Sequence, residues 1–460
     1  MAPVMATGRL SVSSAAGRAA HGVDFSSTLL KTYILGLPVW WLLGIDFIMP
    51  VLLSVALVLG SPAAHRQFAF QDYLLAALVT VFMASAYLNG FLLAQESMRF
   101  LAALYNAANW ACGLILVQQV RAMLHRSGAG RRMILQSGFR AFMALAAIAW
   151  GSFILAYAID RFELRMPSLF GLLVGDNIPD SAILIKQSIS AVFTKPDWGL
   201  PGIPMPRLGI YGPYPNATAA VIAVLGTLAL LHLCGRGGRH RGMIGLAIEG
   251  LIVITLAITL SRSILAGWLF GALAANVIFG TAWRRIICSL LIAGATALPI
   301  VTDISDIAEY RQYSTESRVD NYVRALEQTA MTSPIIGLGI KPREAGRHIA
   351  VGSHSTFVSS FTKGGSLALG LAFAYLVVHP ALRWLTISAG QTGLRQGAKA
   401  ELRILFRLQV TIWTWLAFED IDAPATAAML LFLAFALIES VSQLARTRDG
   451  DFANSTRFSG

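Results

Sequence analysis

The polar residues of this chain that could do chemistry are concentrated between residues 317 and 370, in an otherwise apolar sequence. This segment contains Pro-Ile-Ile-Gly-Leu-Gly at 334–339 and, further on, His354, just before the chain becomes apolar again. Imidazole has an unperturbed pKa suited to proton transfer near neutral pH, so His354 is a candidate general base. A lone loop histidine is more often simply solvated, but arginines are expected on the same face of the protein.

Three arginines, Arg207, Arg262 and Arg318, are expected beside this histidine. Arg262 lies within Ser-Arg-Ser at the junction of two apolar runs, and Arg207 lies in a Gly- and Pro-rich segment before another run. A guanidinium pairs with phosphate through two hydrogen bonds and keeps its proton, so this pattern favours a phosphate-bearing substrate. The alternative for Arg262 is contact with lipid head groups.

Other polar residues have less direct interpretations. Asn216 begins an apolar run and is expected to cap that helix. Glu249 lies inside an apolar run, about 20 Å of helix away from Arg262, so it is expected near the opposite face as a packing or relay group. Acids that follow a late apolar run could line the same cavity as His354: Glu419, Asp420 and Asp422.

Composition places these residues in a membrane protein. The chain is 56% hydrophobic and 13% charged, whereas soluble proteins carry about 25% charged residues. Its apolar runs approach the length that crosses a bilayer, which predicts an all-α polytopic membrane bundle with about twelve transmembrane helices. The runs are 31–44, 46–60, 71–93, 100–120, 138–159, 217–234, 243–260, 264–280, 286–302, 364–379, 405–419 and 424–441.

The basic residues predict the orientation of this bundle. The net charge of +12 comes largely from short arginine-rich segments such as 121–132 and 235–241, which twelve helices place on one, cytoplasmic, side. This interpretation is preferred to nucleic-acid binding. It makes both termini cytoplasmic, as a disordered tail at 1–30 and a tail at 442–460, around a membrane domain at 31–441.

The two long segments 160–216 and 303–363 then form loops on the other side of the membrane. Long loops without regular structure are usually functional. Each is expected to be partly helical: Ser181–Phe193 could lie on the membrane surface as an amphipathic helix, and Arg318–Thr332 could form a helix that ends at Ser333-Pro334. The cysteines have no metal-ligand spacing and are expected to be packing residues; they are Cys112, Cys234 and Cys288.

Across residues 200–440 the sequence resembles the O-antigen ligase / O-antigen polymerase superfamily of bacterial membrane glycosyltransferases. The clearest element is His354-Ser355, nine residues and then Gly365, with Ala368 where the family has a second glycine. Three further elements occur in the family's order: Arg207 to Pro215-Asn216, Ser261-Arg262-Ser263 in place of Ser-Arg-Gly, and Arg318 to Pro334-Ile-Ile-Gly-Leu-Gly339.

The resemblance implies transfer of a glycan from undecaprenyl diphosphate at the periplasmic side of the bacterial inner membrane, without a metal, nucleotide sugar or other cofactor. The acceptor would be lipid A–core in a ligase or another repeat unit in a polymerase, and polysaccharide assembly proteins are possible partners. His354 and Arg262 would be catalytic. Diphosphate or glycan would be bound by the remaining site residues, Arg207, Arg318, Asn216 and Ser355.

Several alternatives remain open from the sequence. A ligase and an O-antigen or exopolysaccharide polymerase need the same donor chemistry. A transporter of lipid-linked polysaccharide predicts polar residues near the membrane midplane, often on broken helices. A non-catalytic assembly subunit would use its loops for docking and would tolerate loss of His354.

Overall fold

The computed structural model describes residues 25–60, 68–89, 97–126, 128–178, 186, 189–200, 203–211, 214–234, 239–301, 312–342, 352, 354–390, 396–421 and 426–440. Most of these residues are helical, which agrees with the predicted all-α bundle. Residues 25–30, which were assigned to the N-terminal tail, are already helical. The rest of that tail and the C-terminal tail at 442–460 lie outside the described residues.

The helices of the described part follow one another along the chain in a fixed order. They are α1 (25–35), α2 (Leu37–Leu43), α3 (Met49–Gly60), α4 (Phe70–Tyr87), α5 (Ser97–Arg126), α6 (Gly128–Ala158), α7 (Leu169–Val174), α8 (Pro215–Cys234), α9 (Arg239–Ile258), α10 (Arg262–Phe279), α11 (Ala282–Val301), α12 (Gln312–Thr332), α13 (Thr356–Phe373), α14 (His379–Ala389), α15 (Gln396–Phe418) and α16 (Thr426–Ser440).

Six helical segments of the described part are long and apolar enough to cross a membrane. They are Phe70–Tyr87, Phe100–His125, Gly128–Ala158, Pro215–Cys234, Arg262–Phe279 and Thr356–Ala389. The protein is therefore a helical membrane protein, and the expected number of about twelve spans is not confirmed. Part of the difference lies in apolar helices of 10–17 residues, such as Met49–Gly60 and Thr426–Ser440.

The centre of the bundle is formed by α8 and α16, whose side chains are buried on all sides. In α8 almost every residue from Ala217 to Leu231 is buried, and α16 is buried from Thr426 to Ser440. A helix that is apolar around its whole circumference belongs in the interior of a bundle. The other helices surround these two and expose apolar side chains, such as Leu246 on α9 and Leu290 on α11, as lipid-facing helices do.

Close contact between α10 and α15 depends on glycine. A methyl group added at Gly267 would come within 2.9 Å of the Thr414 side chain, and one at Gly271 within 2.8 Å of the Arg407 carbonyl oxygen. Small residues let helix backbones approach each other within a membrane, where the hydrophobic effect does not draw helices together. This packing fixes the start of α10 relative to the end of α15, which together form part of the candidate site.

The loop at 160–216 contains strands as well as a short helix. In the described residues, β1 (Leu164–Pro167), β2 (Ser190–Leu200) and β3 (Ile203–Leu208) form an antiparallel sheet in the order β1-β2-β3. The helix predicted at Ser181–Phe193 is therefore wrong from Ser190 onward, because this part pairs with β1 instead. Trp41 packs edge-on against Phe193 at 4.8 Å and anchors the sheet to α2.

The helix expected at Arg318–Thr332 is confirmed as α12, which starts at Gln312. It ends immediately before Ser333-Pro334, as predicted, since a residue that precedes proline disfavours the helical conformation. Arg318 lies on α12, and His354 precedes α13. Because the Tyr322 hydroxyl of α12 donates to the His354 carbonyl, Arg318 and His354 lie at the same end of the molecule.

Candidate active site

The acid at the end of α15, Glu419, is the point where the predicted site residues meet. Its side chain is 8% exposed, and Oε1 accepts a hydrogen bond from Arg318 Nη2 at 3.4 Å. The same oxygen accepts from the Asn216 amide at the start of α8. Oε2 lies 3.9 Å from His354 Nδ1, near enough for a direct charge interaction when the imidazole is protonated. We call these four residues, with Arg207, the Glu419 cluster.

The backbone around Glu419 is held by side chains from neighbouring helices. The Thr356 hydroxyl at the start of α13 donates to the Glu419 carbonyl at 2.8 Å and accepts from the Ile421 amide at 3.2 Å. Trp415 Nε1 on α15 donates to the Asn216 carbonyl at 3.2 Å. These bonds join the ends of α8, α13 and α15, so Glu419 has a fixed position although it lies just beyond its helix.

Arg207 connects the cluster to the turn between α9 and α10. Its Nε donates to the Thr259 carbonyl at 2.8 Å, and its Nη2 donates to Asn216 Oδ1 at 3.1 Å. Asn216 thus accepts from Arg207 and donates to Glu419, and it does not cap α8 as the sequence predicted. Because protein groups engage two nitrogens of Arg207, the geometry gives this residue a positioning role rather than the direct contact with diphosphate expected from the sequence.

Arg262 is the first residue of α10, and its side chain is exposed. It follows closely on Leu260, whose carbonyl accepts from Arg207 Nη2 at 3.5 Å. A helix N-terminus carries partial positive charge, and the guanidinium adds a full charge at the same place. The start of α10 is therefore the exposed cationic edge of the site.

His354 is half-buried and has an unusual backbone conformation. Its φ is +70°, which favours glycine, and its side chain is 28% exposed. The Tyr322 hydroxyl of α12 donates to the His354 carbonyl, and the Asn321 amide oxygen accepts from the Gly352 amide nearby at 2.9 Å. Burial raises the pKa of Tyr322, so its hydroxyl keeps the proton that it donates. The loop is thus held against α12 with the imidazole directed toward Glu419.

Ser355 has a structural role in this arrangement. It is the N-cap of α13, where its hydroxyl accepts from the Val358 amide at 3.4 Å, and the residue is 4% exposed. The sequence assigned Ser355 to substrate binding. Its burial and its cap bond instead make it the residue that starts the helix directly after His354.

Backbone strain is concentrated near the cluster. In the described part of the chain, the non-glycine residues with positive φ are Asp160, Tyr211, Leu260 and His354. Leu260 and His354 carry atoms of the site, and Tyr211 lies between β3 and α8. Such conformations cost roughly 1–3 kcal/mol each and are found preferentially at functional sites.

Glycines allow the segment 334–339 to pack closely against residues 362–366 of α13, the helix that follows His354. The Leu338 and Gly339 amides donate to the carbonyls of Thr362 and Lys363 at 2.7 and 3.0 Å, and the Ser366 amide donates back to Pro334. Gly337 (φ +71°) and Gly365 (φ +64°) both have the left-handed φ that glycine tolerates. A methyl group at Gly365 would approach the Ile335 carbonyl to 2.2 Å, so this glycine is required for the loop to contact α13.

Ala368, which departs from the family pattern, fits the same packing. It lies in the regular part of α13 and is fully buried. A methyl group built on Gly364 would come within 2.3 Å of the Ala368 Cβ. The Ala368 methyl therefore occupies the space beside Gly364, and only one of the two residues can carry a Cβ.

Positive charge extends from the cluster into the sheet. Lys195 on β2 stands directly opposite Arg207 on β3. Like charges opposite each other on neighbouring strands are destabilising. Burial lowers the pKa of Lys195 from its usual 10.5; the nearby Glu163 opposes this shift and Arg207 adds to it. The loop sheet thus keeps two cationic groups together beside the site.

Asp420 has a different function from its neighbour Glu419. It forms a buried ion pair with Lys341, in the loop that follows Pro334–Gly339. The pair links that loop to the end of α15, and both side chains are at most 14% exposed. Asp422, the third acid of the predicted group, lies outside the described residues.

A second group of charged side chains lies at the other end of the bundle and is closed to solvent. Arg121 of α5 binds Asp72 of α4 and, at 3.1 Å, Glu439 of α16, which also accepts from Gln71. The charged side chains are between 1% and 8% exposed. We call these four residues the Arg121 cluster. Arg121 was expected in a cytoplasmic loop segment, whereas it lies inside the bundle.

Glu249 is also remote from the site, as expected. Both of its oxygens accept from the Arg407 guanidinium, at 2.6 and 2.8 Å, and the Trp268 indole donates to Oε1 at 3.0 Å. The Arg407 guanidinium stacks over the Trp268 ring at 4.0 Å. This arrangement joins α9, α10 and α15 below the site.

Comparisons with models of known protein families and with curated protein sequences gave no match to this chain. Membership in the O-antigen ligase superfamily therefore stays a prediction that rests on the four short sequence elements. Among the described residues, no group of three or more His, Cys, Asp or Glu side chains could hold a metal ion.

Sequence reasoning found most members of the cluster but not their centre. Glu419 was expected only as one of several acids that could line the cavity, and Tyr322 and Thr356 were not among the candidates. An acid that directly follows a membrane helix, next to a second acid, was the available signal for Glu419. The signal was weak because the partners of Glu419 are far away in the chain, up to 203 residues in the case of Asn216.

Proposed function

We propose that the chain is a membrane glycosyltransferase of the O-antigen ligase / polymerase type. It would move a glycan from undecaprenyl diphosphate to a sugar hydroxyl of an acceptor. The observation that carries this proposal is the Glu419 cluster: a buried carboxylate contacts a partly exposed imidazole and a partly exposed guanidinium, beside the exposed Arg262. His354, Arg318 and Arg262 come from three separate sequence elements that resemble the family, whereas Glu419 lies outside those elements.

The proposed reaction forms one glycosidic bond and breaks one sugar–phosphate bond. The acceptor hydroxyl attacks the anomeric carbon of the donor sugar, and undecaprenyl diphosphate leaves with the bonding electron pair. Negative charge grows on the diphosphate during this step, and fixed positive groups beside it lower the barrier. Arg262, at the start of α10, is the proposed diphosphate ligand, and Arg207 positions the turn that carries it.

His354 is the proposed general base. It would take the proton of the acceptor hydroxyl as the new bond forms, a role that contributes about 10²–10⁴ to the rate. Glu419 would orient the imidazole and stabilise the imidazolium that results, since Oε2 lies 3.9 Å from Nδ1. Arg318, which is 30% exposed and paired with the same carboxylate, is the proposed contact for the diphosphate or for the acceptor glycan.

We also propose that the protein lies in the bacterial inner membrane with about twelve spans, cytoplasmic termini and the site at the periplasmic face. Within the cation-rich segments 121–132 and 235–241, the arginines other than the enclosed Arg121 support this orientation. Single cysteines in a background without Cys112, Cys234 and Cys288 would test it. A membrane-impermeant maleimide should label Glu163→Cys in intact spheroplasts, and should label Arg132→Cys only after lysis. The reverse pattern would place the site in the cytoplasm.

Deletion of the gene in the native host, with complementation, tests the enzymatic proposal. We expect wild type to restore surface polysaccharide and neither His354→Ala nor Arg262→Ala to do so, at equal amounts of membrane protein. Loss of long chains with accumulation of short lipid-linked repeats would assign a polymerase. Full-length chains that stay on the polyprenyl carrier would assign a ligase. Full complementation by both variants would contradict the proposal and favour the assembly-subunit or transporter alternatives.

A further inference from the structure

A cavity lies between the helices at the end of the bundle away from Glu419. Its volume is about 440 Å³, and it is bounded by α8, α9, α10, the start of α11 and the first turns of α15. Arg403, on its wall, is about 24 Å from Glu419 along α15 at 1.5 Å per residue. This cavity is therefore separate from the proposed active site.

The charge in this cavity is unbalanced. Its charged side chains are Arg284, Arg403, Arg407 and Glu249. Both oxygens of Glu249 are bonded to Arg407, so these two charges cancel each other. Arg284 and Arg403 are close enough to repel each other electrostatically, and among the described residues neither forms an ion pair with a carboxylate. Two like charges kept together without an acid favour an anionic ligand.

Apart from Asn276 and Cys234, the remaining wall of the cavity is apolar. Leu230, Leu233 and Ile404 line it, together with small residues of α10. On α9, methyl groups built at Gly242 and Gly245 would meet nothing within 4 Å, so this wall is open space rather than packed side chain. A purely water-soluble anion gains no free energy from contact with such a surface. The acyl and glycerol groups of a lipid do, because their apolar surface is removed from water there.

Neighbouring residues place the cavity at the depth of lipid head groups. Trp283 is 69% exposed and directly precedes Arg284 at the start of α11. Exposed tryptophan and arginine side by side are typical of the membrane–water interface. On α9, Met243 and Leu246 are 70% and 74% exposed beside the two glycines. Lipid can therefore reach the cavity from the side while its head group remains at the interface.

From this combination we infer that the cavity binds an anionic phospholipid, with the lipid phosphate between Arg284 and Arg403 and the glycerol and acyl groups along Gly242 and Gly245. Basic pockets between membrane helices are known to take such head groups. The inference does not depend on the proposed glycosyl transfer. It assigns the end of the bundle opposite the Glu419 cluster to lipid recognition.

The test uses the full-length protein in nanodiscs of phosphatidylethanolamine, titrated with phosphatidylglycerol or cardiolipin and followed by native mass spectrometry. We expect wild type to retain the anionic lipid and the double variant Arg284→Gln/Arg403→Gln to bind it roughly thirty-fold more weakly. Arg132→Gln removes one exposed charge from α6 without touching the cavity, and should bind the lipid as wild type does. Equal binding by the double variant would overturn the inference.

Two further experiments distinguish lipid binding from the binding of free phosphate and from an effect of lost folding. Gly245→Leu fills the cavity without changing its charge and should also displace the lipid, while its melting temperature shows that the bundle is intact. Inorganic phosphate and glycerol phosphate should not compete with bound lipid. Full displacement by either anion at matched concentration would identify a free-anion site and refute the assignment to lipid. Equal retention of phosphatidylethanolamine would refute it as well.

Discussion

The Glu419 cluster and the Arg121 cluster contain the same kinds of groups, a carboxylate bound to arginine and amide side chains between membrane helices. In the Arg121 cluster every charged side chain is 8% exposed or less, and the arginine binds two acids. In the Glu419 cluster the acid is equally buried, but Arg318 and His354 are 30% and 28% exposed. The difference lies in which partner faces the solvent.

Charge inside a membrane bundle therefore does not by itself identify a functional site. In a fully enclosed pair, removal of one partner is destabilising because the other charge stays buried without compensation, so the pair can be purely structural. An acid enclosed by cations that remain partly exposed can hold those cations ready for a ligand. Positive φ at Leu260 and His354 occurs beside the second kind of cluster. Exposure and backbone strain together are better indicators than the number of charges.

The largest effect is expected from Arg121→Leu. This change removes the cation that Asp72 and Glu439 share inside the bundle, which should lower the free energy of unfolding by about 3–5 kcal/mol. Thermal unfolding of the protein in detergent, followed by size-exclusion fluorescence, measures the loss. Arg132→Leu on the exposed side of α6 is the matched control. An unchanged melting temperature would mean that the Arg121 cluster is not structural and that the contrast between the two clusters fails.

Glu419→Gln should act on activity more than on stability. Loss of the carboxylate removes the group that orients His354, so turnover should fall about 100-fold, while the solvated Arg318 limits the structural cost. The measurement is the rate of glycan transfer from lipid-linked donor in proteoliposomes, beside the melting temperature. Glu439→Gln should show the opposite order, with a larger loss of stability than of turnover. Equal behaviour of the two variants would remove the distinction between the clusters.

Gly365→Ala should destabilise the site end by about 2 kcal/mol, since a side chain there is strained by the positive φ and contacts the Ile335 carbonyl. Ala368→Gly, three residues later in the regular helix, should cost about 1 kcal/mol or less. Hydrogen exchange of residues 333–342 tests whether the loss is local. Faster exchange in this loop but not around Arg121 is expected, and uniform protection would contradict the close packing of the segment 334–339 against α13.

The smallest effect is expected from Lys195→Met. Because the folded pKa of Lys195 is lowered from 10.5, the unfolded chain binds more protons in the window below 10.5, and stability should rise with pH there. The variant should lack this rise and should be more stable than wild type near pH 7, by less than about 1 kcal/mol. Unfolding at several pH values measures both. Lys399→Met, away from the sheet, is the control, and an identical pH slope in both variants would argue against the charge repulsion.

Much of this architecture could be predicted from local sequence. Apolar runs predicted α8, α10 and α13, because a helix that satisfies its own backbone is the structure that an apolar segment adopts in lipid. Ser333-Pro334 predicted the end of α12. The sheet at 164–208 could not be predicted, since its strands contain prolines at 167, 196, 204 and 206 and do not alternate clearly between apolar and polar residues.

The candidate site was predictable in its members and not in its geometry. Residue types, together with the predicted placement on one face of the membrane, identified His354, Arg262 and Arg318 as candidates, because imidazole can transfer a proton near neutral pH and guanidinium can pair with phosphate. That Asn216 bridges Arg207 and Glu419 and that Arg207 holds a turn are consequences of long-range packing. The Ser355 cap, by contrast, is a local bond to the amide of Val358. Hydrogen bonds between residues up to 203 positions apart leave no periodic trace in the sequence. Only the tertiary structure decides which polar side chains are used internally and which remain exposed for a ligand.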